Sequence, residues 1–280
     1  MTAREESEPA QYDETGKISF DDIYTQPDPR AYFSTLRPLE YCIPQLAKPY
    51  FRELCQQLRH QRSGAVTILD IGCSYGVNAA LLKCDLTMDD LYRRYCGAQA
   101  SAASRSALLA EDREFVRLSD RLPFTRFVGL DASLPALSYA KLAGFLDDAV
   151  HADLEERAAT ERECGQFAGT DLIISTGCVG YVTDQTIFQV LEANDGRPPW
   201  MAHFVLRMFP FEPMMESLVG LGYETVGLDR AFKQRRFASP QEQALILDTL
   251  SQAGVDPTGL EADGWLYANL YVSRPAGGQW

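Results

Sequence analysis

Val66-Thr67-Ile68-Leu69-Asp70-Ile71-Gly72-Cys73-Ser74-Tyr75-Gly76 is the stretch from which the fold can be read. An apolar run ends in a carboxylate and passes directly into glycines that open a helix. Glycine has no Cβ, so a ligand can lie against its backbone. In an open α/β sheet such a turn stands at the carboxyl end of the first strand, where ligands bind. A dinucleotide needs G-x-G-x-x-G so that its pyrophosphate reaches the helix N-terminus. Here Gly72 and Gly76 flank Ser74, and Asn78 stands where another small residue would be needed. Asp70 would also repel phosphates, so a cationic or zwitterionic ligand suits this turn better.

Outward from the turn, strands and helices alternate. A helix is expected over about Val77 to Lys83. Strands are expected at Arg126–Leu130, Ala149–Ala152, Leu172–Ser175 and Ala202–Met208, each followed by a helix. This alternation predicts a parallel sheet covered on both faces. The end breaks the rhythm, with a strand from Tyr223 to Leu228, a helix opened by Ser239-Pro240 and closed by Gly254, and a last strand from Trp265 to Ser273. Before the core, residues 1–18 are expected as a disordered tail. Residues 19–62 are expected as an aromatic strap, broken by Pro27, Pro29 and Pro38, and a helix on which Tyr50, Leu54 and Leu58 share a face. The core takes 63–280. It carries a helical insertion at about 84–122, read as helices near Leu86–Tyr95 and Arg105–Leu118.

The turn resembles the first motif of the class I S-adenosylmethionine-dependent methyltransferases, acidic-x-Gly-x-Gly-x-Gly after an apolar strand. Asp70-Ile71-Gly72-Cys73-Ser74-Tyr75-Gly76 departs from it at Ser74, in place of the middle glycine. Three further motifs follow in order, each at a strand end: Val128-Gly129-Leu130-Asp131, His151-Ala152-Asp153-Leu154 and Asp171-Leu172-Ile173-Ile174-Ser175-Thr176. The resemblance covers about Leu46 to Ser273. It implies a Rossmann-like, doubly wound α/β fold with a seven-stranded sheet, mostly parallel with an antiparallel last strand, and helices on both faces. It implies S-adenosyl-L-methionine as cofactor, held by Asp70, Gly72, Cys73, Ser74 and Gly76, by Asp131 on the ribose with Ala132 beside it, by Asp153 and Leu154 near adenine, and by Ser175 and Thr176 near the sulfonium.

Asp70 and Asp131 are 61 positions apart, whereas the second acidic residue usually follows such a turn by about 20. The first helix runs from the ligand edge to the opposite edge. The insertion after it should therefore be anchored away from the site, as a homodimer contact or a packing appendage. Leu91 or Leu108 against the cofactor would contradict this.

Methyl transfer from a sulfonium is an in-line displacement, in which the protein aligns the reactants and excludes water. A general base is optional. Tyr181, in the loop after the fourth strand, and His151, two residues before Asp153, are the catalytic candidates. His60 and His203 read as structural, and Cys178 as unreactive. Tyr32, Tyr41, Tyr181 and Phe211 are the expected substrate walls, and Arg37 is a candidate partner for the cofactor's carboxylate.

Composition narrows the function. Lys and Arg number 26 against 39 Asp and Glu, a net charge of −13. Nucleic-acid binders usually carry a basic footprint, so a small-molecule acceptor is expected instead. No apolar run reaches the ~20 residues of a membrane span. The acidic start lacks the apolar segment of a secretory signal, so a cytoplasmic location is expected. Seven cysteines without a C-x-x-C pair, and three histidines, argue against a metal site. The expected activity is methylation of a small-molecule oxygen or nitrogen, in secondary metabolism. Two other readings stand beside it: a non-catalytic cofactor-binding relative serving a partner enzyme, and a nicotinamide oxidoreductase.

Overall fold

The apolar runs become strands because each is buried by helices on its two faces. The computed structural model describes residues 11–61, 64–194 and 196–277. The strands are β1 (Val66–Ile71), β2 (Thr125–Asp131), β3 (Asp148–His151), β4 (Leu172–Thr176), β5 (Trp200–Leu206), β6 (Tyr223–Arg236) and β7 (Trp265–Pro275). They form one sheet in the order β3-β2-β1-β4-β5-β7-β6. β1 to β5 are parallel, and β7 is antiparallel to both of its neighbours. This is the Rossmann-like methyltransferase arrangement expected from the sequence, antiparallel last strand included.

The helices are α1 (Asp21–Tyr24), α2 (Arg30–Leu36), α3 (Ile43–Gln61), α4 (Val77–Lys83), α5 (Met88–Cys96), α6 (Ala98–Ala102), α7 (Arg105–Ser119), α8 (Leu134–Ala143), α9 (Glu161–Phe167), α10 (Asp184–Glu192), α11 (Glu212–Gly220) and α12 (Pro240–Gln252). On one face Phe51, Leu54 and Leu58 of α3 pack with Leu82, Leu137, Ile246 and strand residues such as Ile68, Phe127 and Phe204. On the other, Phe167, Ile187 and Leu218 meet Leu69, Val128 and Met201. Register places Asp70 opposite Gly129 and Ile174, and Asp131 opposite His151, so the acidic strand ends share one rim.

One expectation changes at the N-terminal side. Residues 1–10 of the expected tail lie outside the described residues. Residues 11–18 are not a tail: Tyr12 bridges Ile18 in an antiparallel turn, with Gly16 at φ 85° pressed on Leu245 of α12. Thr249 Oγ1 donates to the Thr15 carbonyl at 2.8 Å, and the Ile18 N–H donates to Glu242 Oε1 at 2.9 Å. Docking on α12 satisfies backbone groups that composition alone would leave to solvent.

The insertion forms α5, α6 and α7. It packs on the strap and on the outer sides of α4 and α8, with Leu91 and Leu108 buried beside Phe33 and Tyr139. The Phe33 and Tyr95 rings stack at 4.8 Å. Asp112, fully buried, accepts from the Tyr95 and Tyr139 hydroxyls and pairs with Arg94. The strap lies between the insertion and the sheet rim, so the insertion supports the site through one intervening layer, and Leu91 and Leu108 stay clear of it.

Candidate active site

Asp70 ends β1 with no exposed surface. Asn78, the second residue of α4, donates through Nδ2 to Asp70 Oδ1 at 3.0 Å and to Thr176 Oγ1 at 3.2 Å. Asp70 Oδ2, Asn78 Oδ1 and Ser74 Oγ are buried and have no partner among the described residues. Buried polar atoms are usually satisfied, so three orphans around one turn mark a place that calls for a polar ligand. Burial pushes the Asp70 carboxyl up to about 7, against the pull of Asn78 and with a push from Asp131. A cation beside it would restore its charge.

Gly72 sits at φ 67°, and a Cβ there would fall 2.8 Å from that of Cys178. Ser74 also holds a left-handed backbone, φ 49°, which explains why the motif it resembles prefers glycine there. The turn is tied to β2 by Asp131, whose Oδ2 accepts from the Ser74 N–H and Oδ1 from the Ser133 N–H, both at 2.8 Å. Burial raises the Asp131 carboxyl, and those two N–H groups oppose the rise.

Two cavities meet at Gly72, Asp131 and Tyr181. The smaller, about 330 Å³, is lined by Ile71, Leu130, Ala132, Ala152, Asp153 and Leu154. The larger, about 430 Å³, lies toward β4 and β6, between Tyr24, Tyr32 and Tyr41 of the strap, Ser74, Thr176 and Cys178, and Gln234 and Arg235 of β6. Each falls in the range of small-molecule sites, roughly 300–1,000 Å³. One cavity lies on the β2–β3 side of these shared residues and the other on the β6 side.

Tyr181 borders both. Its hydroxyl donates to Asp13 Oδ2 at 2.5 Å, and its ring meets Phe209 edge-on at 5.0 Å. Burial, and then Asp13, raise its pKa. Burial likewise pushes Tyr24 up to about 12 and Cys178 up to about 12, so both stay protonated near neutrality.

Of the expected site residues, Asp70, Gly72, Ser74, Asp131, Ala132, Asp153, Leu154, Thr176, Tyr32, Tyr41 and Tyr181 line the cavities or, for Asp70, stand behind the turn. Six others go elsewhere. The Cys73 side chain drops beneath the turn into the core, into space that Gly129 leaves by having no Cβ. Gly76 serves packing: it begins α4 at φ 74° with Ala140 and Phe145 close against it. Ser175 turns inward and pairs through Oγ with His203 Nδ1 at 2.8 Å, where burial alone lowers His203 to about 4. His151 lies exposed at the sheet margin with Nε2 3.0 Å from the Ala132 carbonyl, lining neither cavity, so it steadies the β2–α8 loop. Phe211 is 1% exposed and stacks on Tyr271 at 4.3 Å, within the core, and lines neither of these two cavities. Arg37 is exposed, faces Cys96 of the insertion and leaves the cavity.

Lys17, Asp13, Phe20, Gln234 and Arg235 were not legible as site residues. The turn signature Asp13-Glu14-Thr15-Gly16 was the available signal for the first three. Nothing in the sequence separates Gln234 and Arg235 from an ordinary edge strand. Among the described residues, no cluster of His, Cys, Asp and Glu could hold a metal ion, and no helix is long and apolar enough to cross a membrane.

No family model and no curated protein matches the chain. Solved structures are similar at low identity. The plantazolicin methyltransferase BpumL in complex with SAH is 13% identical, with 91% of this chain and 93% of that chain covered and a TM-score of 0.41. A TehB-like SAM-dependent methyltransferase from Corynebacterium glutamicum is 15% identical, with coverages of 78% and 85% and a TM-score of 0.36. A SAM-dependent methyltransferase from Geobacter sulfurreducens in complex with S-adenosyl-L-homocysteine is 13% identical, with coverages of 80% and 90% and a TM-score of 0.34. The strand order, rather than these likenesses, defines the architecture.

Proposed function

We propose that the chain is an S-adenosylmethionine-dependent methyltransferase acting on the oxygen or nitrogen of a small molecule, in secondary metabolism. The observation that carries this reading is the trio of orphaned atoms on Asp70, Asn78 and Ser74, behind a glycine turn where two cavities join. Their donor and acceptor chemistry fits the zwitterionic amino-acid end of the cofactor. Asp131 has lone pairs left for a diol after binding Ser74 and Ser133. Asp153 and Leu154 border the smaller cavity, suited to a purine edge and face.

When bound, the cofactor supplies an activated methyl group on a positively charged sulfur. The chain's residues do the rest by position. Tyr24, Tyr32 and Tyr41 wall the larger cavity and exclude water. Thr176, fixed by Asn78, holds a polar tip on the larger cavity, and Tyr181, fixed by Asp13, holds one where the two cavities meet. Alignment of this kind can supply much of the barrier reduction without a base.

The withdrawal of His151 from the site leaves the cavities without histidine among the described residues, which favours a non-catalytic cofactor binder as the second reading. Incubation with methyl-labelled cofactor and a metabolite extract separates the two. Label on a small molecule supports the enzyme, while tight binding without transfer to any acceptor supports the binder. Calorimetric binding of NAD but not of S-adenosylmethionine would reject both.

A further inference from the structure

We infer that the acceptor carries an anionic oxygen group, a carboxylate or a phenolate, recognised by Lys17 from the N-terminal hairpin. The inference rests on the methyltransferase reading for the division of the cavities and goes beyond it in the acceptor's chemistry.

The larger cavity has two cationic side chains among the described residues that line it, Lys17 and Arg235. Arg235 is committed: Nη1 and Nη2 donate to Glu242 at 3.0 and 2.6 Å, and Nη1 also donates to the Arg236 carbonyl. Lys17 is not. Its Nζ lies 5.0 Å from the centre of the Tyr181 ring, and among the described residues it makes neither a hydrogen bond nor an ion pair.

Asp13 is largely engaged within the hairpin and by Tyr181. Asp13 Oδ1 accepts from the Thr15 N–H at 2.9 Å, Thr15 Oγ1 at 2.5 Å and the Lys17 N–H at 3.0 Å, while Oδ2 takes the Tyr181 hydroxyl. Glu242 is likewise filled by Arg235, the Ile18 N–H and the Ala238 N–H. Three ammonium donors are therefore left facing a cavity walled by tyrosines. Burial and then the Arg235 charge lower Lys17 to about 8, against the pull of Asp13, Glu242 and Asp21. A ligand anion would reverse that desolvation loss.

A second group points the same way. Gln234 is 5% exposed and its Oε1 has no partner, so the cavity also offers an acceptor for an N–H or O–H of the ligand. The sheet order places Gln234 and Arg235 on the flank opposite Ala152, Asp153 and Leu154, so this is the acceptor's side. An anion there would meet Lys17 on the β6 side, where Lys17 must outweigh Asp13, Asp21 and Asp131 on the same lining.

The test uses the full chain saturated with S-adenosylhomocysteine and matched probes, 4-hydroxybenzoate against 4-hydroxybenzamide and benzoate against benzamide, by calorimetry. The acid of each pair should bind at least about tenfold more tightly than the amide, as a charge-assisted hydrogen bond requires. Lys17→Met should bring the ratio near one, and Lys17→Arg should retain it. Equal binding of acid and amide, no binding of either, or a ratio unchanged in Lys17→Met would overturn the inference. A fall in S-adenosylhomocysteine affinity in Lys17→Met, with the acid preference intact, would also overturn it by assigning Lys17 to the cofactor. The cofactor reading fails separately, if S-adenosylhomocysteine does not bind while the acid preference persists.

Discussion

Tyr181 and Asp13 are 168 positions apart, and a single hydrogen bond of 2.5 Å joins them across the mouth of the larger cavity. One belongs to the loop after β4, the other to the hairpin that precedes the strap. The bond orients the phenol that borders both cavities.

Tyr181→Phe keeps the ring and removes the bond. Loss of one hydrogen bond to a partly exposed carboxylate costs about 1 kcal/mol. Amides of the hairpin should then exchange with solvent roughly fivefold faster, while amides of β1 and β4 keep their protection. Unchanged exchange in the hairpin would show that α12 alone holds it. Asp13 provides a pH test of the same contact. Burial pushes its carboxyl up, but hydrogen bonds from Thr15 and Tyr181 outweigh this and leave it below the ordinary carboxylate range. Its stabilising contribution is therefore complete above the unfolded pKa and disappears as pH falls through the lower folded value. The Thr15 and Lys17 amide resonances should shift below about pH 4 and stay fixed above it.

The same hairpin shows what the sequence withheld. The parallel strands, the glycine turn and the acidic residues at the ends of β1 and β2 were readable, because a buried parallel sheet writes its strands as apolar runs and its ligand edge as small and acidic residues. Residues 11–18 are polar and short, and their order comes from Glu242, Leu245 and Thr249, more than two hundred positions away. The inward turn of Ser175 was hidden for a different reason. Along a strand, a one-residue change of phase sends a side chain to the opposite face, and a motif read by its spacing does not state the phase. His151 satisfied the phase argument with Asp153 but stands at the sheet's margin, where the cavity has already ended.

Ser74 occupies a backbone conformation that suits glycine, and its Oγ is buried without a partner. Left-handed backbone costs a non-glycine residue about 1–2 kcal/mol, partly offset by the entropy glycine loses on folding, about 0.5–1 kcal/mol. Ser74→Gly should raise the stability of the ligand-free chain by about 1 kcal/mol in urea denaturation, with an unchanged m-value. Destabilisation would mean that Ser74 Oγ has a partner, such as an ordered water, worth more than the strain.

Asp131 is asked to hold two backbone N–H groups and a ribose. Asp131→Ala removes all of these acceptors and should weaken S-adenosylhomocysteine binding at least about tenfold by calorimetry. Asp131→Asn keeps the volume but turns an N–H donor toward Ser74 or Ser133, so it should lose nearly as much. Unchanged affinity in both variants would place the sugar elsewhere.

Asp70 ties cofactor binding to pH. Its carboxyl titrates at about 7 because burial disfavours its charge, so it is largely protonated in the empty chain at pH 6. A carboxyl raised above its unfolded value supports folding fully below that value, near 3.9, and loses this support as pH rises toward 7. Binding an ammonium group beside it should favour the charged form and release a proton. The affinity for S-adenosylhomocysteine should therefore rise from pH 5 to pH 7. At pH 6 the calorimetric enthalpy should vary with the ionisation enthalpy of the buffer, with a slope that reports proton release. In Asp70→Asn the slope should vanish and the remaining, weaker affinity should lose its pH dependence over this range. A slope that survives in Asp70→Asn would assign the proton to another group and remove Asp70 from the cofactor's amino end.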